Sequence, residues 1–166
     1  MLSYHPALDP YHSALRSLRI LIRSPLGGLQ SPQLQVMEFL LLFPDQIAEL
    51  QLPRQLMRYR GALRARRNPY WLSASAASAY RRCELVHHLG LQMLRGSGFV
   101  DETTPAGQRV SLVVGVESTP MGQLARTLNE AEEELMRVLV DGIGGVQWTG
   151  RQGLRERIGF LGALRG

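Results

Sequence analysis

The sequence predicts a mainly α-helical chain carrying one small β-hairpin. Three observations support that class. Apolar residues recur at helical spacing in several segments between Tyr11 and Val138. Asp9-Pro10, Ser31-Pro32 and Thr119-Pro120 each set a capping side chain before a proline at the first helical position. The departure is "LRGSGFVDETTPAGQRVSLVVG", from Leu94 to Gly115, which reads as a helix end, a strand, a polar turn and a returning strand.

The elements follow in order. From Asp9-Pro10 a first helix places Tyr11, Ala14, Leu15, Leu18, Leu21 and Ile22 on one side, with Arg16, Arg19 and Arg23 between them, and "SPLGG" ends it. A second helix runs from Ser31-Pro32 to Phe43. It is apolar nearly all round and is expected at the centre. Pro44-Asp45 breaks it and opens a short third helix, "DQIAEL". After Leu52-Pro53 comes a basic helix, "RQLMRYRGALRARR", with Leu56, Tyr59 and Leu63 as its apolar stripe. "NPYWLSASAAS" is a linker anchored by Tyr70 and Trp71. A long helix from about Ala79 to Arg95 carries Tyr80, Cys83, Val86, Leu89, Met93 and Leu94 and is expected to be buried on several sides. Gly96 and Gly98 end it. Beyond the hairpin, Thr119-Pro120 opens one last long helix. Met121, Leu124, Leu128, Ala131, Leu135 and Val138 share one face, and Glu130, Glu132, Glu133 and Glu134 lie elsewhere on it as a solvated surface. The tail from Val146 is Gly-rich, basic and apolar.

Helices followed by a glycine exit, an apolar plug at Phe99, an insertion-tolerant turn and a β-branched return strand form the pattern of a winged helix. The two strands would be the wing, and the helix before them the one that faces DNA in helix-turn-helix proteins. The division expected is a winged-helix-like (α+β) domain over residues 1–118, then a C-terminal helix and Gly-rich tail over 119–166 as a partner-binding element. Winged helices serve both DNA binding and protein docking, so this pattern alone does not fix function.

Composition narrows the classes. Of 166 residues, 45% are hydrophobic and 20% charged, which permits a packed core and argues against wholesale disorder. The longest apolar run, "VMEFLLLF", is shorter than a membrane span and contains Glu38. "MLSYHPALDPYHS" has neither the basic start nor the apolar stretch of a secretion signal. A single cysteine, Cys83, fits a reducing cytoplasm, where the chain is expected. All nineteen basic residues are arginine, which grips carboxylates and phosphates bidentately. Eight of them lie between Glu49 and Glu84 with no acid among them, whereas from Asp101 onward nine acids face seven arginines. That asymmetry points to a polyanion or an acidic partner surface on one side.

No catalytic set emerges. Cys83 and His87 stand four apart on a helix with His88 adjacent, a spacing that can align two metal ligands, but His5 and His12 are remote in sequence and a closed site needs about four ligands. "PLGGLQ" and "DGIGGVQ" lack the strand and spacing of a phosphate loop and read as turns. The expectation is a non-enzyme with no metal and no cofactor. Among functional candidates the arginine-rich helix stands first, through Arg54, Arg58, Arg60, Arg64, Arg66 and Arg67. It is either a solvated basic face or a contact to phosphates or an acidic partner. In the wing the candidates are Phe99 and Arg109. Leu124, Leu128, Leu135 and Phe160 are candidates for an apolar partner interface.

The stretches "YHPALDPYHSALRSLRILI", "LQVMEFLLLFPDQIAELQLPRQL" and "RNPY" resemble the small middle component of bacterial ABC-type three-component systems, which include the Lamassu antiphage systems. The resemblance rests on segment order and local wording and covers the chain to about Gly115, wing included; the last part of the chain carries none of it. It implies a winged-helix adaptor without an active site of its own. Such a subunit would dock on an SMC-like ATPase and help hold or regulate an effector nuclease, with DNA contacted through the complex and no membrane involved. The alternative is a winged-helix transcription regulator. A DNA reader should expose Arg, Asn or Gln on the helix before the wing. Arg81, Arg82, Gln92 and Arg95 are available there, but "CELVHHLGLQML" reads as too apolar for an open face, which favours docking.

Overall fold

The structure is a computed structural model that describes residues 6–25, 27–67, 75–103, 109–151 and 153–159. It is mainly helical with a small three-stranded antiparallel sheet. Residues 104–108, where the sequence leads one to expect the turn of a wing, the linker aromatics Tyr70 and Trp71, and Phe160 with the rest of the tail lie outside the described residues. No described helix is long and apolar enough to cross a membrane.

Helix α1, Pro10–Arg23, starts where the sequence places it, and Asp9 Oδ1 accepts from the N–H groups of Tyr11 and His12 at 2.7 and 3.3 Å. A short strand follows, β1, Leu29–Gln30, which the sequence reading took as part of a turn. Two residues are too few to show the period-2 pattern that marks a strand. Helix α2, Ser31–Leu42, is capped by Gln30 and not by Ser31, because Gln30 is still extended as the last residue of β1, and its side chain makes no cap bond. Helix α3 is Pro44–Ala48.

The expected basic helix is shorter and tighter than predicted. Arg54–Tyr59 is a 3-10 helix, and only Arg60–Ala65 is α-helical, as α4. No side chain caps either start, and Leu56 and Tyr59, three apart, meet the core together in a 3-10 turn. Helix α5, Ala76–Gly96, begins three residues earlier than expected, with Ser75 Oγ accepting from Ser78 N–H. It is buried on one side only. Leu89 is exposed and Met93 half-buried, so the expectation of burial on several sides is corrected.

The hairpin consists of β2, Val100–Thr103, and β3, Arg109–Leu112. β1 pairs on the outer side of β3, Leu29 opposite Val110, giving the order β1-β3-β2. The apolar plug is Val100 and Val110, both fully buried. Phe99 packs only partly against the core from the rim.

The predicted last long helix is two. α6 is Pro120–Arg126 and α7 is Glu130–Arg137, broken at 127–129. The break has two causes. Asn129 and Glu132 form a reciprocal capping box that starts α7 afresh. Arg23 of α1 donates to the carbonyls of Ala125 and Arg126 at 3.2 and 2.8 Å, and so closes α6. A π-helical segment, Val138–Gly144, continues α7, and α8 is a single turn, Leu154–Arg157. Around α2 the core gathers Leu18, Leu34, Met37, Phe39, Leu40 and Ile47, with Phe39 against Phe43 and edge-on to Tyr80. α1 and α5 cross closely at Gly90, where an added Cβ would lie 2.8 Å from Ser13 Oγ.

Candidate functional site

The six arginines of the basic segment do not form one free face. Arg60 is half-buried and donates to the carbonyl of Leu50 at 3.1 Å. Arg66 donates to the carbonyl of Ala131 and pairs with Glu134 at 3.1 Å, tying α4 to α7. Arg64 pairs with Glu49 at 3.2 Å in the open. Arg58 sits over its neighbour Tyr59, 4.7 Å from the ring centre. Arg54, Arg58, Arg64 and Arg67 are exposed and carry the basic surface the segment presents, with Arg64 facing Glu49 and Arg58 donating to the Tyr59 hydroxyl at 2.8 Å.

The glutamates of α7 are likewise not a merely solvated face. Glu132, Glu133 and Glu134 each meet an arginine: Arg19 at 3.6 Å, Arg23 at 2.9 Å and Arg66 at 3.1 Å. Three elements are clamped by these pairs, α1, α4 and α7.

The outer side of α5 is the larger finding. Arg81, Leu85, His88, Gln92 and Arg95 are all exposed. Their spacing alternates four and three, so they form one stripe along the helix. Leu85 is 66% exposed, and Leu89 flanks it. Gln92 Nε2 lies 3.0 Å from His88 Nε2. The expectation that this helix is too apolar for an open face is therefore corrected: its apolar residues divide between the core side and this stripe. Arg109 of β3, the other candidate of the hairpin, donates to the carbonyls of Gly27 and Gly28, the latter at 3.0 Å, and fastens β3 to the turn before β1.

Of the apolar interface candidates, Leu124 is 51% exposed, Leu128 is half-buried against the core, and Leu135 is buried in it. Phe160 lies outside the described residues.

Beneath these surfaces is a polar cluster that sequence reading missed. Glu38 of α2 is buried, and its Oε1 accepts from Arg16 Nη2 at 2.9 Å and Nε at 3.1 Å. Its Oε2 meets His87 Nδ1 and accepts from Ser17 Oγ at 3.2 Å. Burial works to raise the Glu38 pKa. The hydrogen bond and charge of His87, then Arg16 and Ser13, outweigh it and hold the carboxyl below its ordinary value. The Cys83–His87 spacing thus serves packing: His87 faces Glu38, and burial, reinforced by the Glu38 charge against the pull of Arg16, pushes the Cys83 thiol up to about 11. No group of three or more metal-ligating side chains is assembled among the described residues. A lone charge inside "VMEFLLLF" was the available signal, since a charge in an apolar helix needs a buried partner.

The fold defines a small, mainly helical chain in which ion pairs tie α1, α4 and α7 together and α5 carries an exposed stripe. A family model described as ABC-three component (ABC-3C) system Middle Component 5 matches residues 2–163, and the chain belongs to that family. It is a middle component of a three-component system, with partners inside that system. The match runs through the C-terminal part, which the resemblance in the sequence had left out. No curated protein and no solved structure matches the chain.

Proposed function

We propose that this chain is a non-catalytic winged-helix adaptor of an SMC-like ATPase complex of the Lamassu antiphage type, docking on the ATPase and helping to hold or regulate an effector nuclease in the cytoplasm. The observation that carries the reading is the strand order β1-β3-β2, with β1 following α1 and the β2–β3 hairpin following α5. That order supports a winged helix, and membership of the middle-component family supports an adaptor role. Co-expression with the ATPase and effector encoded beside it tests this. One complex that co-elutes on gel filtration and survives affinity purification is expected. Separate elution of all three subunits overturns the reading.

A second reading, direct DNA contact, is favoured by one observation: Arg81, Gln92 and Arg95 share the exposed stripe of α5. Its test is binding of the purified chain to a DNA duplex across a salt series. Phosphate contacts predict affinity that falls steeply with salt and a shallower slope in Arg81→Glu. Absence of binding at low salt leaves α5 to protein partners.

A further inference from the structure

We propose that the outer edge of β3 is a docking site for an extended, uncharged, apolar strand of a partner, which would add to the sheet beside β1. Val100 stands opposite Leu112, and Val113 N–H donates to the carbonyl of Phe99 at 3.0 Å. Antiparallel pairs alternate, so Val113 bonds toward β2, while the N–H and C=O of Leu112 point the other way, toward the side of β1. β1 does not reach them: its ladder ends at Leu29 opposite Val110. Gly28 still lies against β3 at Val110 and Ser111, and the chain leaves the strand at Gly27; both glycines are at positive φ, and Arg109 at the far end of β3 holds their carbonyls.

What borders this edge is a groove of about 420 Å³, within the size range of ligand sites. Leu21, Ile22 and Pro25 at the end of α1 line one side, and Leu112 and Val114 the other. Val114 is 100% exposed. Exposed sheet edges are normally guarded by charge, proline or a covering element. Between Arg109 and Glu117 there is no charged residue and no proline. Glu117, at the rim, is already paired with Arg126.

Those features select the occupant. Open backbone groups call for a β-strand, the aliphatic walls for apolar alternate side chains, and the lack of unpaired charge for an uncharged segment. A second copy of the chain fits poorly, since its own β3 edge is recessed behind the end of its α1 in the same way. The site is distinct from the α5 stripe, so one subunit could hold two partners at once.

The turn after β3 offers a clean test. Val116 N–H donates to the carbonyl of Val113, and Gly115 has φ 90° and ψ −8°. Val114, at the second position, is β-branched and disfavours the positive φ of a type I′ turn, which leaves a type II turn, where proline is favoured at that position. Val114→Pro therefore keeps the turn and removes an N–H on the open edge. The probe is the peptide acetyl-Thr-Val-Thr-Val-Thr-Val-amide, titrated to millimolar concentration into the ¹⁵N-labelled full chain. An analogue N-methylated at alternate residues, unable to pair, is the control. Shifts confined to the amides of 111–115, 21–24, 27 and 28, absent with the analogue and about tenfold weaker in Val114→Pro, are expected. No localised shift, or equal shifts from both peptides, overturns the proposal. So does a concentration-dependent dimer in sedimentation that Val114→Pro abolishes, which would make the occupant a second copy.

Discussion

Glu38 of α2 and His87 of α5 meet carboxylate to imidazole in the interior, 3% and 5% exposed, with Arg16 of α1 on the other carboxylate oxygen. Three helices thus share one buried acid. Removing it leaves the Arg16 guanidinium without its carboxylate in a nearly dry site. Glu38→Leu should cost about 3–5 kcal/mol, whereas the double change Arg16→Met with Glu38→Leu should recover much of that loss. Urea midpoints of the two single variants and the double variant measure the coupling. Additive losses would show that the pair does not act as a unit.

The same carboxyl sets an acid limit. Its folded pKa is lower than the ordinary 4.5, so the stability it contributes is complete above about pH 4.5 and drains away as pH falls through the lowered value. Glu38→Gln should flatten that limb of the stability profile. A wild-type and a variant curve with equal slopes below pH 4.5 would assign acid unfolding to other groups.

Charge reversal should sort the basic segment. Arg54, Arg58 and Arg67 changed together to Glu should leave the thermal midpoint nearly unchanged, because all three are exposed. Binding of DNA or an acidic partner that uses this face should then weaken, most at low salt. Arg66→Ala, by contrast, loses the carbonyl of Ala131 and the half-exposed Glu134, a cost of about 1 kcal/mol after allowance for solvent screening. If the triple variant melts and Arg66→Ala does not, the division drawn between arginines that tie elements together and arginines at the surface is wrong.

The close crossing of α1 and α5 predicts that two glycines of one helix behave oppositely. At Gly90 a new Cβ would lie 2.8 Å from Ser13 Oγ and 2.9 Å from the Ala14 nitrogen, which is backbone and cannot rotate away. Gly90→Ala should cost about 1–3 kcal/mol by forcing the helices apart. At Gly96 nothing lies within 4 Å, so Gly96→Ala should be neutral or stabilising by up to about 1 kcal/mol. Calorimetric midpoints of the two variants decide it; a common direction of shift would count against the crossing.

Periodicity and capping residues made α1, α2 and the hairpin legible, because Asp9, the apolar run around Phe39 and the glycines after Leu94 each act locally. Long-range terms hid the rest. β1 exists only through its pairing with β3. The break between α6 and α7 depends on Arg23, more than a hundred residues away in sequence. Likewise the arginines of the basic segment could not be divided into bonded and open ones without knowing where Leu50 and Ala131 lie. The α5 stripe was visible as residues but not as a face, since Leu85 and Leu89 resemble core until a neighbour for the opposite side is known.

The apolar candidates at the C-terminal end should separate in the same way. Leu135 is 9% exposed and belongs to the core, so Leu135→Asp should destabilise the isolated chain by about 4 kcal/mol, the range of an unpaired buried charge. Leu124, with Met121 also exposed on α6, stands open. Leu124→Asp should leave the circular dichroism spectrum and the melting midpoint close to those of the wild type. If α6 contacts another subunit, the same variant should weaken co-purification with that subunit, because a charge would then enter an apolar contact. A folded Leu124→Asp variant that assembles normally removes α6 from the interface, and an unfolded one shows that α6 packs more tightly than its exposure indicates.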